Sequence, residues 1–287
     1  GFTTLQNIQL KRIGDLKQLK MLSLSGSHVG IGPFKRPGDD GLKPLGNLTA
    51  LHTLELGNTA VGDPDVRHLL PMKQLRALYL HATHVSNDGL KDVAMLTPLE
   101  VLHLSRCKHI SEPGLKELAS LKHLRVLGLS HIPLTGACFK DLAALKDLES
   151  LNLFQTQLTD EGLKELTSFT KLKTLNLGNT RLSGQSVKSL AGFKDLEFLD
   201  LYGVPITDTG VKELLGLTKL RALGLGQSQV TAAGLKELAQ LENLRELDLR
   251  GTKVALFLDK AALDDIRKAL PKVRIIQNGI GLLPGDS

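Results

Sequence analysis

His81, His103 and His131 fall in successive stretches of a repetitive sequence, with Arg106 among them and His84 and His109 close by. Imidazoles bind zinc and move protons near neutral pH, so this cluster is where chemistry would be sought first. Zinc needs its ligands about 2.1 Å from a single point. These histidines occupy different columns of an array whose strands lie about 4.8 Å apart, which favours a polar surface over a metal site. Cys107 stands near His109, the pairing that a thiolate nucleophile requires. It takes the place where other units put an inward Thr, however, and Cys138 is at a non-equivalent position with no CxxC spacing. Both read as reduced, buried thiols. The sequence shows no phosphate-cradling glycine loop, no HExxH and no nucleophile elbow, so neither enzyme, metal nor cofactor is expected.

The element that positions these side chains is a repeat. LxxLxL recurs with its first leucine at Leu19, Leu51, Leu75, Leu99, Leu124, Leu148, Leu172, Leu196, Leu220 and Leu244; from Leu51 the step is 24, with a single 25. In a unit such as Leu172 to Leu182, alternation predicts a short strand with Leu175 and Leu177 inward and Thr174, Asn176 and Gly178 outward. A Thr then follows, as at Thr59, Thr83, Thr156, Thr180 and Thr252, with a hydroxyl placed to satisfy loop backbone. Next comes a capping Ser or Thr: Ser86, Ser111, Thr135, Thr159, Ser183, Thr207 or Thr231. Asp160, Glu161, Glu112 and Asp208 add negative charge at the first helical turn, where the dipole favours it. Leu163, Leu166 and Phe169, three apart, predict a helix with its apolar face on the core.

Stacking identical units gives an α/β solenoid, a curved array with a parallel sheet on its concave face and bulkier helices on its convex face, wound as a right-handed superhelix. Leu270, Val273 and Ile275 predict an eleventh strand that caps the array before a polar tail. One domain is expected over 1–287, with a partial first unit at 1–18, repeats at about 19–269 and a cap with its tail at about 270–287. The connection from Val29 to Gly41 is eight residues longer than its equivalents, and the inserted stretch includes GIGPFKRP. The chain starts inside a repeat and lacks the residue order of a signal peptide, as a segment of a longer precursor would.

The motif LxxLxLxxTxLTDxGLKEL, intact from Leu148 to Leu166, resembles bacterial leucine-rich repeat proteins, and its units are similar to the cysteine-containing, ribonuclease-inhibitor-like subclass. The resemblance runs from Leu10 to Ile276. It implies a recognition surface, usually one module of a larger sensor, adhesion or scaffold protein. Thr or Ser replaces the subclass cysteine everywhere except Cys107, so the ubiquitin-ligase association of that subclass is not carried over.

Two outward columns face the groove. Glu55, Tyr79, His103, Asn152, Asn176 and Asp200 belong to the first, and His81, Phe154 and Tyr202 to the second; Phe198 stands outward just before a strand leucine, and Arg106 and His131 stand beside the columns. Both tyrosines of the chain fall in these columns, and aromatic residues are only 3% of the sequence. Aromatics on a rigid polar sheet are what interface anchors look like. A further row, Arg76, Glu100, Arg125, Glu149, Lys173, Glu197 and Arg221, alternates in sign and predicts an ion-pair ladder.

The net charge of +6 would suit a nucleic acid only if it gathered on one track. The groove instead mixes acids with Arg106 and Arg250, while Lys164, Lys188, Lys212 and Lys236 are read as spread over a solvated convex face. No apolar run reaches the roughly 20 residues needed to span a bilayer. The expected function is a monomeric, non-enzymatic module that binds a protein or peptide on its concave face. An architectural spacer is the alternative, and a nucleic-acid-binding module ranks third.

Overall fold

The computed structural model describes residues 7–27, 29, 41–256 and 260–277, so the long connection at 30–40 lies outside the described residues. The chain divides into two compact units, Gly1–Leu134 with Cys138–Leu148 and Thr135–Ala137 with Glu149–Ser287. In the first, β1 (Met21–Ser23), β2 (Thr53–Glu55), β3 (Ala77–Tyr79), β4 (Val101–His103) and β5 (Val126–Gly128) pair in parallel in chain order. In the second, β6 (Ser150–Asn152), β7 (Thr174–Asn176), β8 (Phe198–Asp200), β9 (Ala222–Gly224), β10 (Glu246–Asp248) and β11 (Arg274–Ile276) do the same. All eleven are the strands that the leucine spacing predicts. The fold is an α/β solenoid.

Register puts leucine against leucine: Leu54 pairs with Leu78, and Leu175 with Leu199. Leu172, Leu175 and Leu177 are fully buried, as are Leu163 and Leu166 from the helical half, with Phe169 only 1% exposed. Each such side chain contributes about 2 kcal/mol of burial. The core is therefore a stack of equivalent leucines, and the side chains between them are left to the other face of the sheet.

The helical half differs from expectation. Asp160–Glu165 is α-helix, but Leu166–Ser168 continues as a 3-10 turn, and Lys43–Asn47 and Ser186–Gly192 are 3-10 throughout. A strict spacing of three is the 3-10 period rather than 3.6, so the leucines carried this signal already.

The strand exits behave as expected, with Thr83, Thr156, Thr180 and Thr252 each donating to the leucine carbonyl three residues back at 2.7–2.8 Å. Between strand and Thr, the backbone turns left-handed at Asn58, Ala82, Arg106, His131, Gln155, Asn179 and Gln227, with φ between 53° and 63°, and at Gly26, Gly203 and Gly251 in the same column. At most of these positions the turn aims the N–H at the following repeat: Ala82 N donates to Ser105 O at 2.8 Å, and Gln227 N to Arg250 O at 2.8 Å.

Of the expected caps, Ser86, Thr159 and Thr231 close as side-chain caps, accepting from Asp88, Gly162 and Ala233 N–H. The first-turn acids act chiefly between units. Asp208 accepts the Thr231 N–H at 2.8 Å and its hydroxyl at 2.6 Å, and Asp160 holds Ser183 in the same way. Partial burial opposes ionisation of Asp160, but the Ser183 hydrogen bonds outweigh it and its pKa is lowered.

Candidate functional site

In the first unit, cross-strand register sets Tyr79 beside His103, and their rings stack with centroids 4.9 Å apart and planes 12° apart, matching the strand spacing. His103 also lies over Gly128, where a Cβ would come within 2.7 Å of its Nδ1. His81 covers Gly57 in the same manner and meets Asn58 Nδ2 at 3.2 Å through Nε2. Glu55, opposite Tyr79, accepts the Ser23 hydroxyl at 2.6 Å. Arg106 and His131 occupy the left-handed column, and Arg106 Nη2 lies 3.3 Å from His131 Nε2. The structure thus brings the six candidates of this unit onto one strand face and its exit edge.

Burial first, and then a neighbouring basic side chain, lower these imidazoles. Desolvation lowers His81, with Glu55 opposing and Arg106 assisting. His103 is lowered by desolvation and then by His81, and His131 by desolvation and then by Arg106. All three are neutral at pH 7. Among the described residues no group of three or more His, Cys, Asp or Glu is arranged to hold a metal ion.

The second unit is built differently. Asn152, Asn176, Asp200 and Asp248 turn their Oδ1 to the N–H two residues on, belonging to Phe154, Gly178, Tyr202 and Arg250, at 2.9–3.0 Å. These brackets orient the neighbouring column. Phe154 lies over Gly178, with its Cδ2 within 2.9 Å of where a Cβ would stand, and Tyr202 lies over Gly226 at 2.4 Å. Arg250 chelates the buried Asp248 through Nε and Nη2 and sits 5.9 Å above the Tyr202 ring. The contacts with Asp248 raise the Arg250 pKa further.

Three candidates are less accessible than the columns implied. Phe198, expected outward and exposed, is 6% exposed because Ala222 and Ile276 pack against it. Asn176 and Asp200 are only 1% and 5% exposed. Tyr79, His81, His103, Phe154, Tyr202 and Arg250 stay half-buried, each with part of its side chain available.

The cysteines carry no nucleophile. Cys107 is fully buried and gives its thiol to Leu80 O at 3.1 Å; burial raises its pKa against the opposing Thr83 hydrogen bonds. Cys138 is pushed up to about 12 by burial and then by Glu112.

The sequence profile of the family described as Leucine-rich repeat region matches residues 86–278. The chain belongs to the leucine-rich repeat family. Among solved structures it is similar to an internalin (inlF) from Listeria monocytogenes, at 20% identity and a TM-score of 0.59 over 94% of this chain and 83% of that one. An internalin C2 (inlC2) from the same organism is 22% identical, with a TM-score of 0.47 over 72% of this chain and 74% of that one. At these identities the likeness concerns the fold. No curated protein matches. Membership supports a protein-interaction module in general terms, and leucine-rich repeat folds are generally non-enzymatic.

In this leucine-rich repeat protein the residues that sequence reasoning missed are the supporting ones. Arg250 was seen only as a charge in the groove, although it bridges Asp248 and Tyr202. The signal was present as Asp-x-Arg in the outward columns. Of the expected ladder the structure shows Arg76 with Glu100 at 2.6 Å, Lys173 with Glu149 at 2.8 Å and Arg221 with Glu197 at 3.7 Å, pairs open to solvent on the basic side and each contributing at most about 1 kcal/mol. Among the described residues no helix is long and apolar enough to cross a membrane.

Proposed function

We propose that each unit presents its strand face as the concave binding surface of a protein-interaction module, and that the ligand is a protein or peptide partner. The observation that carries this is the seating of the aromatic rings: Tyr79 stacked on His103, Phe154 over Gly178 and Tyr202 over Gly226. Rings already fixed against the sheet lose little conformational freedom when a partner covers them, and flat aromatic surface beside polar groups is what binding anchors offer. Phe154 and Tyr202 stand half-buried on Asx brackets that hold their backbone N–H, and Asn152 itself keeps a half-buried amide beside Phe154. Asn176, Asp200 and Phe198 act beneath this surface as supports.

On this reading the repeats are of the cysteine-containing, ribonuclease-inhibitor-like kind, form a single domain that is monomeric in isolation, and serve as one module of a larger sensor, adhesion or scaffold protein. Neither nucleic acid nor a membrane interior is its ligand on this surface. Alanine at Tyr79, Phe154 and Tyr202 together removes the anchors while leaving the leucine core intact. Pull-down with the intact and substituted proteins then decides: partners lost on substitution support a binding face, and partners retained point to an architectural spacer.

A further inference from the structure

The helical side of the repeat carries a charge pattern of its own. The residue after the first core position of the helical half is basic in every unit: Lys11, Lys43 and Arg67 in the first three, and a lysine in each of the seven from Lys91 to Lys236. In six of those seven the next residue is an acid, as in Lys116-Glu117 and Lys164-Glu165, so that the two positions together carry no net charge. The first three units have Arg12, Pro44 and His68 there instead.

The structure gathers this unbalanced end around one concavity. It is about 870 Å³, lies within the first unit, and is lined by Lys11, Lys17, Lys43, Arg67 and His68, with no acidic side chain among the described residues of its wall. The helix α1 (Asn7–Gly14) is seated tightly on the 3-10 turn Lys43–Asn47, since a Cβ on Gly14 would fall 2.2 Å from Pro44 O. That close approach brings Lys11 and Lys43 to the same rim. Arg67 gives Nε to Asp92 at 3.4 Å and keeps a side chain that is 73% exposed. Among the described residues Lys11, Lys17 and Lys43 make no ion pair.

Several cations converging on one water-filled hollow repel each other unless an anion occupies it. We infer that this concavity is an anion site taking clustered phosphate groups. A compact, multiply charged anion accepts from several ammonium groups and a guanidinium at once, and lysines meet it as point charges with no need for planar pairing. The volume lies in the range of ligand sites and exceeds what a single phosphate fills, so more than one phosphate group is the fitting ligand. The site is independent of the strand faces. Because it is open, its affinity falls steeply with salt.

Isothermal titration of the whole protein with tripolyphosphate and with orthophosphate, at low and at physiological salt, tests this. A parallel arm floats the protein on phosphatidylglycerol vesicles against phosphatidylcholine vesicles. The variant Lys11→Gln/Lys17→Gln/Lys43→Gln should weaken tripolyphosphate binding by about tenfold, while Lys164→Gln/Lys188→Gln/Lys212→Gln, with the same loss of charge, changes it less than about twofold. Arg67→Gln alone gives a smaller loss in the same direction and serves if the triple variant fails to fold by circular dichroism. The same dependence in the vesicle arm identifies lipid headgroups as the source of the phosphates, and its restriction to the soluble arm identifies a free anion. Absence of binding in both arms, or equal weakening by the two triple variants, overturns the inference.

Discussion

Gly226→Ala tests how the second unit holds its candidate anchor. The added Cβ would stand 2.4 Å from Tyr202 Cδ2 and 2.9 Å from Arg250 O, against an ordinary contact of 3.4–4 Å. The carbonyl cannot retreat, because it accepts the Gln227 N–H at 2.8 Å. The ring must therefore shift sideways by about 1 Å, giving up its seat on the glycine and its alignment with the Arg250 guanidinium 5.9 Å away. Overpacking of this kind costs about 1–3 kcal/mol, and the cation–π contact adds about 0.5–1 kcal/mol. The backbone at Gly226 is not left-handed, so the loss comes from sterics alone. The chain has two tyrosines and no tryptophan, which lets tyrosine fluorescence in a Tyr79→Phe background report on Tyr202 only. The expected outcome is a lower urea midpoint together with stronger acrylamide quenching of Tyr202. An unchanged midpoint with unchanged quenching would refute the idea that the ring rests on that glycine.

Further consequences are open to measurement. Ala82 holds φ at 53°, which costs a non-glycine residue about 1–2 kcal/mol; Ala82→Gly recovers this less about 0.4–1 kcal/mol of unfolded-chain entropy, so the urea midpoint should rise by the equivalent of about 0.5–1 kcal/mol with an unchanged slope. Asp208→Ala leaves the Thr231 N–H and hydroxyl without their acceptor and should cost about 1–2 kcal/mol in urea unfolding, with Asp208→Asn in between. His81, His103 and His131 have pKa values lowered from 6.5, so the unfolded chain takes up protons first as the pH drops. Their contribution is whole above pH 6.5 and is lost as the pH falls from there through the folded values; urea titrations at pH 7.5 and 5.5 should show a drop that shrinks in His103→Gln. Leu175→Ala, at a fully buried rung, should cost about 2–5 kcal/mol.

The strands were legible because one pattern, LxxLxL, both forms each strand and aligns it with its neighbour; Leu54 against Leu78 follows from the period alone. The 3-10 character of the helical half was also written in the spacing of Leu163, Leu166 and Phe169, but it competed with the commoner helical period. Placement of a residue in an outward column was legible, whereas exposure was not. Phe198 is covered in a cluster with Ala222 of the next strand, against which Ile276 of β11 packs, a relation between strands that no single repeat reveals. Asn176 and Asp200 look like contact residues in a column but spend their oxygens on their own backbone. Glycine in the column likewise reads as an empty place, and in the fold it is the seat of a neighbouring ring.

Site-specific photocrosslinking tests the central claim most directly. A benzoylphenylalanine placed at position 79 or 202 keeps an aromatic group on a strand face, and one placed at position 116 or 212 sits on the helical side. Crosslinked partner from 79 and 202, with none from 116 and 212, is the predicted result. Crosslinks confined to the helical positions would contradict the claim that the strand faces are the binding surface.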